Sequence, residues 1–236
     1  KDANVYLFKN SLADRPSIIP YGPRSGSETE TSTLRWFAGS DDRSNLTFDV
    51  YIGSDYWGMD TDLSDVSASF WGEDADDYSG YAVSGAGDVN GDGYDDFLIG
   101  AYFDDDGGED AGQTYLILGD GTGWSMDTDL SDADASFIGE DSDDQSGWAV
   151  SGAGDFNGDG YDDFLIGAWG NDEGGGSGKA GQTYLILGKA SGWSMDTDLS
   201  DADASFIGED ANDHSGWGVS GAGDVNGDGY DDFLIG

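Results

Sequence analysis

The sequence DVNGDGYDD at residues 88–96 decides which fold we predict for the chain. It returns as DFNGDGYDD at 155–163 and as DVNGDGYDD at 224–232, and each copy lies between a segment ending in SGAG and a segment reading FLIG. Asp, Asn and Gly favour tight turns, whereas Val, Ile and Phe favour strands. The pattern therefore predicts a β-hairpin with an oxygen-rich loop at its turn, repeated along the chain.

The loop has the donor pattern of a calcium site. Positions 1, 3 and 5 are Asp, Asn and Asp, position 6 is a Gly that permits a sharp turn, and position 7 offers a backbone carbonyl. An Asp at position 9 closes the set, and hard oxygen donors of this kind suit Ca²⁺ better than Mg²⁺. We therefore predict about three Ca²⁺ ions, one per repeat. The predicted ligands are Asp88, Asn90, Asp92, Tyr94 and Asp96, then Asp155, Asn157, Asp159, Tyr161 and Asp163, then Asp224, Asn226, Asp228, Tyr230 and Asp232.

Two other interpretations of the loop fit the sequence less well. An EF-hand needs a bidentate Glu at position 12 and a helix after the loop, but all three copies have Ile there and continue as strand sequence. An Asp-Gly turn that binds nothing is common, but three copies with the same donor types argue against it. The position 8 aspartates are expected to point outward, and we leave them out of the metal shell. They are Asp95, Asp162 and Asp231.

The composition is strongly acidic, with 8 Lys+Arg against 50 Asp+Glu and a formal net charge of -42. This charge excludes ordinary nucleic-acid binding and docking on anionic lipid, because both need a basic surface. It is compatible with bound cations or with adaptation to high salt. No apolar run reaches the ~18 residues that a membrane span needs. Weak calcium modules are tuned to extracellular calcium, so we predict an extracellular or cell-surface protein.

Longer repeats surround the loops. Trp57, Trp124 and Trp193 open matching segments that are 67 and then 69 residues apart. We divide the chain into an N-terminal β segment, 1–56, two repeats, 57–123 and 124–192, and an incomplete third repeat, 193–236. The first repeat is predicted to contain four strands, at 68–72, 80–87, 97–101 and 113–119. The predicted fold class is all-β, with tandem four-stranded antiparallel blade-like repeats of the β-propeller type.

The sequence from Ser84 to Ala101 resembles the FG-GAP repeat of the integrin α-subunit head propeller and its prokaryotic relatives. This chain departs from the name of the family at both ends, with Ser-Gly for Phe-Gly at 79–80 and Gly-Ala-Tyr for Gly-Ala-Pro at 100–102. The resemblance implies a seven-bladed, calcium-bearing propeller. Two full units and a partial one are fewer than the roughly four blades that ring closure takes. We therefore expect a partial propeller or one completed by strand exchange.

The N-terminal segment is the basis for an assembly hypothesis. Its predicted strands are 4–8, 34–38 and 46–53, and the segment is interpreted as a degenerate blade or a fibronectin-III-like or Ig-like fragment. Residues 3–8 resemble residues 112–117, which belong to a strand that the third repeat lacks. Because unpaired strand edges invite pairing, the N-terminal strand is expected to fill that vacancy in its own chain or in a neighbour's.

No catalytic set stands out in the sequence, so we predict that the chain is not an enzyme. The single histidine, His214, has Tyr78 and Gln145 as counterparts and is interpreted as a solvated loop residue. The repeated Trp residues are assigned to packing between blades, although a sugar-stacking surface is the alternative.

The predicted function is that of an extracellular calcium-binding repeat protein with a structural or adhesive role. One alternative is a filament subunit that assembles head to tail by donating strand 3–8, and a second is a non-catalytic module of a larger secreted enzyme. The partners considered are copies of the same chain and a protein or glycan ligand.

Overall fold

The computed structural model describes residues 68–173 and 178–236, together with the backbone of two short strands at Leu7–Phe8 and Ile52–Gly53. These two strands pair in parallel and fall within two of the strands that the sequence predicts. The other predictions for the N-terminal segment, including its interpretation as a blade or as a fibronectin-III-like or Ig-like fragment, lie outside the described residues.

The described residues are almost entirely strand and turn, which confirms the all-β prediction. None of their helices is long and apolar enough to cross a membrane. The strands are β1 (Leu7–Phe8), β2 (Ile52–Gly53), β3 (Phe70–Trp71), β4 (Ala82–Gly87), β5 (Asp96–Ala101), β6 (Gln113–Ile117), β7 (Thr128–Asp129), β8 (Ala135–Ile138), β9 (Ser146–Gly154), β10 (Asp163–Ala168), β11 (Gln182–Ile186), β12 (Thr197–Asp198), β13 (Ala204–Ile207), β14 (Val219–Gly223) and β15 (Asp232–Ile235), and short 3-10 helices lie at Leu130–Asp132 and Leu199–Asp201.

Two blade-like antiparallel sheets dominate the structure. The first has the strand order β4–β5–β6–β8, with β12 added in parallel at the edge of β8. The second has the order β9–β10–β11–β13, and β14 and β15 form a third hairpin. Four antiparallel strands per blade is the arrangement that the sequence predicts.

The sheets are shifted by one strand relative to the sequence repeats. The sequence groups 68–72 with 80–87, but β3 pairs with β7, and the first sheet takes its outer strand, β8, from the second repeat. Likewise, β13 comes from the third repeat and completes the second sheet. The period of the sequence gives the length of one repeat but does not show at which strand a sheet begins. The sequence alone therefore does not predict which strands pair. As a result, neighbouring repeats share a sheet.

The blades pack face to face through strands that are buried on both faces. Every residue of β5, β6, β10 and β11 is buried, as expected for strands that are covered on both sides. One apolar cluster contains Leu98 and Leu116 of the first sheet together with Phe164 and Ile166 of the second. The blades therefore share one hydrophobic core.

Glycines allow the two blades to approach each other backbone to backbone. A Cβ added at Gly100, in β5, would collide with the carbonyl oxygen of Gly147 in β9, and Gly167 faces Gly216 in the same way. These glycines belong to the Gly-Ala and Ser-Gly segments that the sequence repeats. Their absence of a side chain sets the spacing between blades.

Candidate metal centre

The three candidate loops connect β4 to β5, β9 to β10 and β14 to β15. In each hairpin the register shifts just before the loop, so a bulge separates the loop from the regular ladder. Bulges of this kind redirect side chains near functional sites. All three loops therefore follow a bulge at the same position of their hairpins.

In the first loop, side-chain oxygens converge on the turn. The amide of Asp92 donates to Asp88 Oδ1 at 3.0 Å and to Asn90 Oδ1 at 2.8 Å. The amide of Gly93 donates to Asp88 Oδ2 at 2.8 Å, and the amide of Tyr94 donates to Asp92 Oδ1 at 2.9 Å. Positions 1, 3 and 5 are therefore brought together, as the sequence predicts.

The second loop reproduces these bonds. The amide of Asp159 donates to Asp155 Oδ1 at 2.9 Å and to Asn157 Oδ1 at 2.8 Å, and the amide of Gly160 donates to Asp155 Oδ2 at 2.9 Å. The position 7 residue, Tyr161, donates its amide to Asp159 Oδ1 at 3.0 Å.

The third loop repeats the pattern on a more exposed surface. The amide of Asp228 donates to Asp224 Oδ1 at 3.1 Å and to Asn226 Oδ1 at 2.9 Å, and that of Tyr230 donates to Asp228 Oδ1 at 3.0 Å. The amide of Gly229 also donates to Asp224, and backbone donors of this kind lower the pKa of that carboxyl.

The position 9 aspartates lie deeper than the other predicted ligands. The carboxylate of Asp96 is buried and accepts the amides of Val89 at 2.8 Å and Gly119 at 2.6 Å. Burial raises its pKa to about 6, although these amide bonds oppose the rise. Asp163 has the same surroundings and a pKa raised to about 6 by burial. Each of these side chains ties its loop to the end of the next strand.

The donor chemistry of the loops fits a hard cation. Within residues 68–173 and 178–236, no three Asp, Glu, His or Cys side chains are gathered closely enough to hold a metal by themselves. An ion in the first loop would therefore need the amide oxygen of Asn90 and the backbone carbonyl of Tyr94 besides the carboxylates. All of these donors are oxygen atoms, as Ca²⁺ prefers.

The outward orientation predicted for position 8 is wrong for two of the three aspartates. Asp162 Oδ2 accepts the amide of Asp88 at 2.9 Å, and Asp231 Oδ2 accepts the amide of Asp155 at 3.2 Å. Each side chain therefore reaches the first residue of the preceding loop. The local pattern did not reveal this contact, because it depends on how successive repeats stack.

A second acidic cluster, at the other end of β5, was not predicted. The hydroxyl oxygen of Tyr115 lies 3.2 Å from Glu73 Oε2 and 3.2 Å from Asp104 Oδ2. Burial, followed by the charge of Asp104, raises the pKa of Asp77 to about 7, and burial raises that of Asp104 to about 7. The sequence feature that could have indicated this cluster is an Asp that recurs at positions 77, 144 and 213.

The equivalent cluster in the second repeat has one negative charge fewer. Asn171 stands where the first repeat has Asp104, and its Nδ2 donates to Asp144 Oδ2 at 3.0 Å. Burial raises the pKa of Asp144 to about 6, and the hydrogen bond from Asn171 opposes that rise, whereas the charge of Asp104 adds to the rise at the counterpart Asp77. A neutral donor beside the carboxylate therefore replaces a second negative charge.

The repeated Trp residues and the single His pack against other aromatic rings. Trp124 packs against Phe70 and Phe97, and its counterpart Trp193 packs against Phe137, so both lie where adjacent repeats meet. His214 is only partly buried and contacts the ring of Trp169 at 5.1 Å. Trp57, the counterpart of Trp124 and Trp193, lies outside the described residues.

The fold and these loops define the chain as an all-β repeat protein with blade-like sheets and acidic hairpin loops. Comparison with known proteins adds the family, because the FG-GAP repeat model matches residues 79–117 and 146–186. The chain thus contains FG-GAP repeats, as the sequence resemblance predicts. The FG-GAP repeat is not a catalytic family.

Two relatives are integrin alpha chains. Integrin alpha-PS2 of Drosophila melanogaster is 32% identical over 176 residues, which cover 70% of this chain and 12% of that protein. Integrin alpha pat-2 of Caenorhabditis briggsae is 30% identical over 172 residues, which cover 67% of this chain and 13% of that protein. The chain therefore corresponds to a small part of the length of these relatives.

Proposed function

We propose that the chain is an extracellular calcium-binding repeat module with a structural or adhesive role. The observation that carries the proposal is the threefold recurrence of one loop geometry, in which Asp, Asn and Asp oxygens converge on the same turn. Similarity to integrin alpha chains supports an adhesion-type module at a cell surface. FG-GAP repeats and integrin alpha chains are not catalytic families, which supports a role without catalysis.

Calcium would act in these loops as a cross-link between hairpin ends. The position 1, 3 and 5 side chains are held by backbone amides, so the loop is shaped before an ion arrives. A bound cation would also neutralise part of the net charge of -42, which otherwise favours an expanded chain. We therefore expect calcium to stabilise the fold.

Thermal unfolding with EGTA, with Ca²⁺ and with Mg²⁺ tests this proposal. Calcium at a free concentration of about one hundred times the Kd of one site adds about 2.7 kcal/mol to the stability of the fold. Calcium should therefore raise Tm, and magnesium should raise it less. The variant Asp159→Asn should reduce the calcium-dependent rise. Its matched control is Asp134→Asn, which alters an exposed carboxylate that accepts the amide of Leu118 outside the loops. A Tm that is the same in EGTA and calcium would contradict the proposal.

The adhesive role has a candidate surface in a row of aromatic rings. Trp148 contacts Tyr81 at 4.7 Å and Trp217 at 4.9 Å between ring centroids, and Tyr81 and Trp217 are 42% and 52% exposed. Exposed aromatic faces stack on sugar rings and on protein side chains. Glycan-array binding or cell attachment that is lost in Trp217→Ala, with unchanged calcium-dependent melting, would support this surface.

Head-to-tail assembly through residues 3–8 stays a prediction. Leu7–Phe8 pairs with Ile52–Gly53, and the described partners of β15 are in β14. Sedimentation velocity in calcium, with and without residues 3–8, tests it. The filament alternative requires calcium-dependent polymers that disappear when residues 3–8 are removed.

A further inference from the structure

The first and second candidate calcium loops are each held by the loop that follows them. The carboxylate of Asp162, in the second loop, accepts the amide of Asp88 at 2.9 Å, and the amide of Asp162 donates back to the carbonyl oxygen of Asp88 at 3.2 Å. Lys189 adds a third bond, from its amide to the carbonyl oxygen of Val89 at 2.8 Å. Both the amide and the carbonyl group of Asp88, the first residue of the first loop, are thus hydrogen-bonded to Asp162.

The same arrangement joins the third loop to the second. The carboxylate of Asp231 accepts the amide of Asp155 at 3.2 Å, and the amide of Asp231 donates to the carbonyl oxygen of Asp155 at 3.4 Å. The reciprocal pair of bonds therefore recurs at successive junctions, one repeat apart. Recurrence indicates a built-in junction and not an incidental contact between two surface side chains.

Tyrosine rings close the same junctions. A Cβ added at Gly91 would lie 2.6 Å from Cε1 of Tyr161, and Gly158 faces the ring of Tyr230 in the same way. Both glycines have positive φ, 74° and 75°. The position 7 side chains of the second and third loops therefore lie over the position 4 glycine of the preceding loop.

The contacting residue lies between two predicted ligands. Asp162 is flanked by Tyr161, whose carbonyl is a predicted donor, and by Asp163, the position 9 carboxylate. An ion that fixes these two neighbours also fixes Asp162. Asp162 in turn fixes the backbone of Asp88, which carries the position 1 carboxylate of the first loop. In this geometry, an ion that orders the second loop would also constrain the first residue of the first loop.

We propose that Asp162 and Asp231 are positioning residues that couple each calcium loop to the loop before it, so that ions bind to successive loops cooperatively. This inference rests on the proposed calcium function. A second ion entering a loop that its neighbour has already ordered loses less conformational entropy, which produces positive coupling. In a chain of repeats that contact only their neighbours, such coupling passes from one repeat to the next.

Calcium titration of the full chain, followed by NMR of the position 6 glycine amides, tests the coupling loop by loop. Gly93, Gly160 and Gly229 report on the first, second and third loops. In the unaltered chain the three signals should titrate with overlapping midpoints and a Hill coefficient above one. Signals that titrate independently, each with a Hill coefficient of one, would overturn the coupling.

Two alanine variants should weaken calcium binding in different loops. Asp162→Ala removes the acceptor for Asp88 and should raise the calcium midpoint at Gly93 by about tenfold, a typical coupling strength. Asp231→Ala should do the same at Gly160. If Asp162→Ala instead moves the Gly160 midpoint and leaves Gly93 unchanged, position 8 serves only its own loop and the proposal is wrong.

A conservative variant and a control complete the design. Asp162→Asn keeps a side-chain oxygen that can accept the amide of Asp88, so its Gly93 midpoint should lie closer to that of the unaltered chain. Asp203→Ala removes an exposed carboxylate that accepts the amide of Leu187 outside the loops and should leave all three midpoints unchanged. If no glycine signal of the unaltered chain responds to calcium, the calcium function itself fails. If the signals respond but Asp162→Ala leaves Gly93 unmoved, only the coupling fails.

Discussion

Single carboxylates in this chain have different structural roles although their sequence positions look alike. Asp96 is 1% exposed and satisfies two buried amides, whereas its counterpart in the third loop, Asp232, accepts the amide of Val225 at 3.0 Å in a more exposed setting. The same residue type therefore contributes differently to stability before any ion is considered. A buried amide that loses its acceptor costs more than one that water can reach.

We expect Asp96→Ala to destabilise the calcium-free protein by about 2 kcal/mol, because the amides of Val89 and Gly119 lose their acceptor. The loss is smaller than the sum of two bonds, since burial of the carboxylate is itself unfavourable and raises its pKa. Urea denaturation in EGTA measures the change. Asp232→Ala is the matched control and should have a smaller effect; equal losses for the two variants would contradict the prediction.

The buried cluster around Tyr115 should make stability depend on pH. Asp77 and Asp104 have pKa values raised from 3.8 to about 7 by burial and, for Asp77, next by the charge of Asp104. A carboxyl with a raised pKa in the folded state binds its proton more tightly when folded. Its contribution to stability is therefore fully present below pH 3.8 and is lost as the pH rises to about 7.

We expect Asp104→Asn to stabilise the calcium-free protein at pH 8 by about 1 to 2 kcal/mol and to flatten the pH dependence between pH 4 and 7. The second repeat already has this arrangement, with Asn171 beside Asp144. The reverse change, Asn171→Asp, should destabilise at pH 8. Asp172→Asn makes the same charge change at an exposed residue and should leave the pH profile unaltered. Urea denaturation across the pH range gives the comparison.

At the scale of strands and sheets, contact between blades depends on positions without side chains. Gly100 in β5 faces the backbone of Gly147, whereas Gly85 in β4 is open, with no heavy atom near an added Cβ. We expect Gly100→Ala to destabilise by about 3 kcal/mol, because two backbones must separate. Gly85→Ala should change stability by less than about 0.5 kcal/mol. Chemical denaturation compares the two, and similar losses would show that blade spacing is not set at Gly100.

The sequence predicted local features of these elements better than their pairing. The loops and the strands at 97–101 and 113–119 follow from turn residues and apolar runs, and the structure has strands at Asp96–Ala101 and Gln113–Ile117. Pairing of β8 with the preceding repeat is a long-range choice that no local pattern contains. The contact of Asp162 with Asp88 was missed for the same reason, since the two residues belong to loops that are distant in sequence.

At the scale of the whole molecule, sharing of strands should join the described repeats into one cooperative unit. β8 belongs to the second repeat but completes the first sheet, and Phe137 within it contacts Phe164 of the second sheet at 5.5 Å between ring centroids. Parallel pairing of β12 with β8 adds a connection from the third repeat. Repeat proteins whose stability is concentrated in such interfaces unfold across several repeats together.

Truncation of Phe137 tests whether the blades unfold together. Phe137 is 3% exposed, and Phe137→Ala should cost about 3 to 4 kcal/mol through the lost apolar contacts and the cavity that remains. Hydrogen exchange under native conditions should then accelerate in β6 of the first sheet and in β10 of the second sheet alike. Its counterpart, Phe206 in β13, is 37% exposed and contacts Phe233. Phe206→Ala should therefore cost less and leave exchange in β6 unchanged, and faster exchange confined to one sheet in Phe137→Ala would show that the blades unfold independently.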